Sequence, residues 1–508
     1  MTEFSPARYA FDAAFAEGKP QILWTRTISD LETPVSAMLK LGADNAGVFL
    51  LESVEGGDWL GRYSVIGMKP DLVWRVRDGK AETSRGKFDD AAFKPVKGDP
   101  ITALRKVIAE SAIDTPREVP PMAAGLFGYL GYDMIRYVEK LPNAPADHLQ
   151  LPEATLMRPT VVAIFDNVAH EIIWATPVRP GRDDDSGKAY AQARKRIEDA
   201  IATLAKKKLP PVREEAPEGD PLDVRSNTTD DEYRAMVERG KEYCRAGDVF
   251  QVVPSQRFSA PFPYPSFALY RALRRLNPSP FLFYLNFGDF SIVGSSPEIL
   301  VRVRDGIVTV RPIAGTRRRG VDPAEDARLE EELLADPKER AEHLMLLDLG
   351  RNDVGRVALR GRGGNDPKRA PGVRVTQSFI VERYSHVMHI VSNVEGALAP
   401  EHDAVDALFA GFPAGTVSGA PKVRAMEIID ELEKSKRGIY AGGVGYFTAG
   451  GEIDTCIALR TGLIKDGVLH VQAGAGVVLD SNPQLELEET QHKARALFRA
   501  AEEAWRFA

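Results

Sequence analysis

Between residues 281 and 311 apolar runs alternate with tight turns. Phe281–Phe287, Phe290–Gly294, Ile299–Arg304 and Ile307–Arg311 read as strands, with Gly288-Asp289 and Asp305-Gly306 between them. Such glycine–aspartate pairs are what two-residue hairpin turns demand, so the stretch predicts an antiparallel meander. A second meander is expected from Gly442 to Phe447, Ile453 to Thr461 and Val468 to Ala473, turning at Asp466-Gly467. Shorter β-like runs, Gly47–Leu51 and Val161–Phe165, mark the N-terminal part. Helical spacing takes over elsewhere. Asp336-Pro337-Lys338-Glu339 reads as an N-cap, a first-turn proline and an acidic third position, with Gly350 as the expected helix end. A second strong helix follows Asn482-Pro483 and continues to Phe498. Strands in runs, then helices in runs, predict an α+β fold with largely antiparallel sheets and flanking helices.

The chain's 508 residues exceed one small core. A surface turn from Pro177 to Asp185 leads into a charged helix over about 188–208, and Leu209 to Asp220 is dense in proline and acid. The predicted organisation is therefore an N-terminal region 1–178, a helical, proline-rich linker 179–224 and a C-terminal domain 225–508. The net charge of -7 argues against nucleic acid as a partner. Cys244 and Cys456 match no metal or redox spacing, which suits a reducing compartment. Met1 to Ala10 lacks a basic-then-apolar pattern and no apolar run is long enough to span a bilayer, so a cytoplasmic protein with no membrane association is expected.

Several positions carry chemistry. Glu342 shares a helical face with Met345, Leu346 and Leu349, where a carboxylate is costly unless it is paired or bound to a cation. One reading is an ion pair to Arg340 or Arg351; the other is a metal ligand. Glu489 and Lys493 have the spacing of an ordinary surface pair, worth about 0.3–0.5 kcal/mol. They could instead be a second oxygen ligand and a lysine facing the same cavity, and two carboxylates with open positions suit Mg²⁺. Gly474-Ala475-Gly476 could bring backbone N–H groups close to an anion. Arg460, in an otherwise apolar run, wants a carboxylate, and Tyr440 could offer the same group a hydroxyl. His389 sits on an alternating strand, and Glu298 follows Gly294-Ser295-Ser296-Pro297 where a carboxylic acid could serve as a general acid. Arg311 to Thr316 reads as a small, flexible turn that closes the first meander and carries a hydroxyl. Walker, zinc-protease and nucleophile-elbow motifs are absent from the sequence.

Taken together and in order, Gly294–Glu298, Pro312-Ile313-Ala314-Gly315-Thr316, Glu342–Asp353, Phe412–Lys422, Gly438–Gly443 and Gly474–Gly476 resemble the chorismate-utilising enzymes across nearly all of residues 225–500. The resemblance implies a large α/β sandwich with antiparallel sheets, interleaved with the N-terminal part. It implies Mg²⁺ on Glu342 and Glu489 gripping the ring carboxylate of chorismate. Arg460 and Tyr440 would take the enolpyruvyl carboxylate, helped by Gly474, Ala475 and Gly476, while Gly315, Thr316 and Lys493 complete the pocket and Thr416 lines it. Ammonia would add at C2 as the C4 hydroxyl leaves, protonated by Glu298, and His389 would take part in pyruvate elimination.

Two positions separate the family's branches. A lysine within Pro-Ile-Lys-Gly-Thr marks the covalent aminodeoxychorismate-forming members, and Ala314 stands there. A lysine that activates water marks the isochorismate-forming members, and Gln251 stands there. Without either lysine, ammonia is left as the nucleophile, and the chain most resembles the anthranilate-forming branch, which implies the first step of tryptophan biosynthesis. An aminodeoxychorismate-forming component of the non-lysine kind, or a non-catalytic tryptophan-binding paralogue, is the alternative. Leu50-Leu51-Glu52-Ser53, Gly61-Arg62-Tyr63-Ser64 and Asn277–Leu282 resemble the branch's tryptophan-sensing segments, implying an inhibitor site at Ser53, Arg62, Pro280, Phe281 and Leu282. Phe281 and Leu282 replace the usual tyrosine and methionine. No cysteine resembles an amidotransferase nucleophile, so a separate glutamine amidotransferase subunit is expected to deliver the ammonia.

Overall fold

The strand-like runs form where the apolar pattern places them: Phe281–Asn286, Phe290–Ser296, Ile299–Arg304 and Ile307–Val310, then Gly443–Thr448, Ile453–Ile457, Thr461–Lys465 and Val468–Gly474. A computed structural model describes residues 3–55, 59–181, 184–211, 222–359, 372–384 and 387–508. Most of the proline- and acid-rich stretch lies outside them. Neither meander stays in one sheet. Phe290–Ser296 pairs with Thr461–Lys465, whereas Ile299–Arg304 pairs with Ile453–Ile457. The run expected from Ile453 to Thr461 is thus two strands, parted at Ala458-Leu459-Arg460.

Two antiparallel sheets diverge from the long strand Ala154–Asp166. One proceeds through Trp59–Arg77, Val48–Glu55, Phe281–Asn286, Phe290–Ser296 and Thr461–Lys465 to Val468–Gly474. The other proceeds through Gly125–Leu130, Gly443–Thr448, Ile453–Ile457, Ile299–Arg304 and Ile307–Val310 to Val387–Ala397. Each sheet thus passes directly from N-terminal to C-terminal strands, Val48–Glu55 onto Phe281–Asn286 in one and Gly125–Leu130 onto Gly443–Thr448 in the other, so the two parts share one fold.

The central strands, such as Gly125–Leu130, Ala154–Asp166, Phe281–Asn286 and Phe290–Ser296, bury both faces, which explains their near-continuous hydrophobic runs. Phe283 and Leu285 pack between the sheets with Phe127, Tyr129, Val444 and Cys456. Leu282 and Tyr284 point the other way, into a layer with helices Ser186–Lys206, Ser266–Leu276 and Pro483–Glu503. Leu300, Val301 and Val303 meet the opposite helical layer, which includes Pro337–Gly355, Ala404–Gly411 and Lys422–Leu432. Each such side chain contributes about 1.5–3 kcal/mol by leaving water.

The caps are as read. The Asp336 side chain accepts from the N–H groups of Lys338 and Glu339, and the Asn482 side chain from those of Gln484 and Leu485. Gly350 does not end its helix, which runs on to Gly355. It packs instead against Val310, Pro312 and Val394. The expected turn at 311–316 is also different: Ile313–Arg318 is a strand on Val387–Ala397, interrupted by a bulge at Gly315, whose φ is +68°. Among the described residues no helix is long and apolar enough to cross a membrane.

Candidate functional site

The site lies where the chain changes sheets. Pro297-Glu298 carries it from the first sheet to the second, and Ala458-Leu459-Arg460 carries it back. The crossings lie side by side. Ser296 Oγ donates to the Ile457 carbonyl at 2.6 Å, Ile457 N–H to the Glu298 carbonyl at 3.0 Å, and Ser295 N–H to the Arg460 carbonyl at 3.2 Å. Arg460 is held at φ +47°, in the left-handed region, and so belongs to a break and not to the β-run its sequence suggests. Burial lowers its pKa, and among the described residues it has no ion pair or hydrogen bond from its guanidinium. A desolvated cation of this kind is satisfied by an anionic ligand.

Glu298 is buried. Thr416 Oγ1, from the turn Gly415–Val417, donates to its Oε1 at 3.4 Å, and the Ile313 N–H also faces its carboxyl group. Burial outweighs both and pushes its pKa up to about 8. His389 stands opposite Thr316 across the strand pair. Its Nδ1 lies 3.1 Å from the Gly315 carbonyl and 3.0 Å from Thr316 Oγ1. A carbonyl can only accept, so the proton sits on Nδ1 and Nε2 keeps its lone pair. Burial, then the Arg460 charge, pulls the pKa of His389 down to about 4. At neutral pH Glu298 is a protonated acid and His389 a neutral base, an assignment made by their surroundings.

Tyr440 closes the other side. A Cβ at position 474 would lie 2.8 Å from both the Tyr440 hydroxyl and the Pro254 carbonyl, so only glycine fits. At 476 it would lie 2.5 Å from Gln251 Nε2. Gln251 is buried, and its Oε1 has no partner among the described residues. Lys493 Nζ donates to the Gly474 carbonyl at 2.9 Å and pairs with Glu489 at 2.6 Å, tying the last helix to the glycine turn. The expected surface pair thus forms, at the rim of the site.

Glu342 is half-buried because its helical face borders this cleft and not the core; Leu346 is buried, whereas Met345 and Leu349 are only partly covered. Neither candidate arginine pairs with it. Arg351 takes Asp348 at 3.0 Å, and Arg340 donates to the Leu334 carbonyl at 3.1 Å. Burial raises the pKa of Glu342, and the charges of Glu339 and Glu489 raise it further. Glu342 and Glu489 thus approach from opposite helical layers. Glu486 behaves similarly, raised by burial and by Glu489, though Ser481 eases it. Sequence reading missed Glu339 and Glu486, although each lies one turn before a named glutamate. The i,i+3 spacing was the available signal. Among the described residues no three acidic, histidine or cysteine side chains are close enough to hold a metal together. The carboxylates repel one another, and oxygen donors suit a hard divalent cation, so the donor set fits Mg²⁺.

A separate cavity of about 560 Å³ lies between the sheets. It is lined by Ser53, Arg62, Pro280, Phe281 and Leu282, the residues read as an inhibitor site, and also by Val444, Tyr446 and Asp454, which lie too far along the chain to be read with them. Arg62 is tied to Asp166 at 3.0 Å. The buried Glu52 anchors the strand end beside Ser53 through Arg274 at 2.8 Å and through the Tyr270 hydroxyl.

Residues 49–499 match the model of the chorismate binding enzyme family. The chain is 56% identical to anthranilate synthase component 1 of Cereibacter sphaeroides, covering 100% of this chain and 99% of that protein. It is 49% identical to the Pseudomonas aeruginosa protein of the same name, covering 93% and 94%. The crystal structure of anthranilate synthase component I from Streptococcus pneumoniae is 36% identical and superposes with a TM-score of 0.74, covering 93% of this chain and 99% of that one. The menaquinone-specific isochorismate synthase of Escherichia coli, 19% identical with a TM-score of 0.66 over 97% and 99% of the two chains, shares the fold.

Proposed function

The chain belongs to the family of chorismate-binding enzymes, and we propose that it converts chorismate and ammonia to anthranilate and pyruvate, the first step of tryptophan biosynthesis. Likeness along its whole length to proteins named for that synthase supports the reading. The observation that carries it is the combination of a protonated Glu298 and a neutral His389 with an arginine that, among the described residues, has no protein carboxylate.

Arg460 and Tyr440 bind the enolpyruvyl carboxylate against the Gly474–Gly476 turn. Glu342 and Glu489 would hold Mg²⁺, whose charge would bind the ring carboxylate and draw electron density from the ring. Gly315, Thr316 and Lys493 complete the pocket. As ammonia adds at C2, the ring double bonds shift and the C4–O bond breaks. Glu298 gives its proton to the departing hydroxyl, which leaves as water, and the new ammonium group returns a proton to Glu298 or to solvent. His389 Nε2 then removes the C2 proton. The C3–O bond breaks, the ring becomes aromatic, and the released enolpyruvate takes up a proton to become pyruvate. Ala314 and Gln251 offer no amine to compete with ammonia or to activate water.

The reading extends beyond the reaction centre. Residues 1–178 form a regulatory region, and tryptophan occupies the 560 Å³ cavity as feedback inhibitor. A separate glutamine amidotransferase subunit supplies ammonia, and the protein works in the cytoplasm. Purified protein given chorismate, Mg²⁺ and an ammonium salt should produce fluorescent anthranilate and pyruvate in equal amounts. Aminated product without pyruvate would replace this reading with an aminodeoxychorismate synthase. Absence of turnover would leave a non-catalytic binding protein.

A further inference from the structure

Beneath Tyr440 lies a charged residue that the mechanism does not use. Arg437 and Glu433 form an ion pair at 2.6 Å, with side chains only 1% and 3% exposed. A buried pair of this kind is weak evidence for stability, because desolvation offsets much of the attraction. Its other contacts suggest a different use. Arg437 Nη1 donates to the Val417 carbonyl at 2.7 Å and Nη2 to the Val253 carbonyl at 2.6 Å. The guanidinium lies 5.3 Å from the Tyr440 ring centroid and 4.8 Å from that of Tyr132. Glu433 meanwhile accepts from the N–H and Oγ of Ser255, each at 2.8 Å.

These contacts converge on the segments that build the pocket. Val417 follows Thr416, which touches Glu298. Val253 lies two residues beyond Gln251, its N–H donates to the Ser418 carbonyl at 3.0 Å, and the neighbouring Pro254 carbonyl accepts from Ala475 N–H at 3.3 Å. Tyr132, from the N-terminal region, donates its N–H to the Gly438 carbonyl at 2.8 Å. One planar fork therefore contacts two backbone carbonyls and two aromatic rings, a geometry a lysine cannot reproduce.

We propose that Arg437 is a positioning residue for chorismate amination: it sets the spacing between Thr416, Tyr440 and the Gly474–Gly476 turn, while Tyr132 holds it from the N-terminal side. The proposal rests on the chorismate reading of the site. Displacing a substrate-positioning group by an ångström can cost about 10²-fold in rate.

The test compares two variants under the assay above. Arg437→Lys keeps the charge beside Glu433 but loses a carbonyl contact; its KM for chorismate should rise about tenfold or more while the melting temperature stays near that of the unaltered protein. Glu433→Gln keeps both carbonyl contacts; it should lower the melting temperature with little change in KM. If both variants lose stability with KM unchanged, Arg437 is merely structural and the proposal fails. If Arg437→Lys does not fold, Tyr132→Leu decides, with a raised KM in folded protein supporting the proposal and an unchanged KM overturning it. An unaltered protein that makes no anthranilate would overturn the functional reading instead, so the two failures are distinguishable.

Discussion

Pro297 and Glu298 are neighbours in the chain but face different spaces. Pro297 lines the 560 Å³ cavity with Ser53 and Leu282, whereas Glu298 faces Thr416. Ile313 repeats the arrangement, lining the cavity while its N–H faces the Glu298 carboxyl group. The peptide that walls this cavity therefore also places the carboxyl group. Filling the cavity should separate inhibition from turnover. Ser53→Phe is expected to raise the tryptophan concentration for half-inhibition at least about tenfold, roughly 1.4 kcal/mol of lost binding, with a much smaller change in kcat. Equal sensitivity of the two in a tryptophan titration would remove the cavity from regulation.

The pH dependence follows from opposite shifts at Glu298 and His389. In the proposed reaction Glu298 acts as the acid, so activity should fall as pH rises through about 8. His389 acts there as the base, so activity should fall as pH drops through about 4. The kcat/KM profile for chorismate should be a bell with those limbs. Stability tracks the same acid. Its folded pKa is raised, so its contribution is complete below the ordinary glutamate range and is lost as pH rises through about 8. Glu298→Gln should cut turnover by about 10²–10⁴ and flatten the alkaline fall in melting temperature. Retention of that fall would mean the buried carboxyl is not its source.

Loss of His389 should split the reaction. In the proposed reaction water can still leave while Glu298 remains, but the C2 proton would lack its base. His389→Ala is expected to slow pyruvate release about 10²–10⁴-fold and to accumulate the aminated, non-aromatic product, visible by chromatography. Equal loss of amination and elimination would assign His389 to the first step as well.

Glu342 carries no ion pair among the described residues, and its pKa is raised first by burial and then by the charges of Glu339 and Glu489. Glu342→Gln relieves that repulsion, so in chelator the variant should melt no lower than the unaltered protein. Added Mg²⁺ stabilises whatever binds it, by about 2.7 kcal/mol at a hundredfold excess over Kd. The unaltered protein should show that rise, and Glu342→Gln should lose both the rise and turnover. A full Mg²⁺ response in the variant would move the metal elsewhere.

The sequence made the strands and caps readable because their signals are local: hairpin turns at Gly288-Asp289 and Asp305-Gly306, and capping side chains at Asp336 and Asn482. It did not show that the chain leaves one sheet at Pro297 and returns at Leu459, since both sheets demand the same apolar runs. Arg460 was therefore read into a strand, although it stands at a crossing. Glu298, His389 and Glu342 were legible as motif positions, but their protonation states arise from burial and from partners far along the chain. Gly350 failed as a helix stop because a glycine that lets a helix approach Val310 and Val394 looks the same in sequence as one that ends it.

Gly315 combines these levels at one position. Its bulge lets Ala314 pair with Ile390 and Thr316 with His389, and its own carbonyl fixes the histidine tautomer. At φ +68° a side chain is strained by about 1–2 kcal/mol, and a Cβ there would meet Glu339 Oε2 and Leu333 Cδ1 at 3.1 Å. Gly315→Ala should thus lower stability modestly and turnover more, because relief of the strain rotates the carbonyl away from Nδ1 and frees the other tautomer. Proton spectra of the His389 ring should show the Nδ1 proton in the unaltered protein and its loss or exchange in the variant. Normal turnover with that proton retained would mean the bulge serves only the strand register.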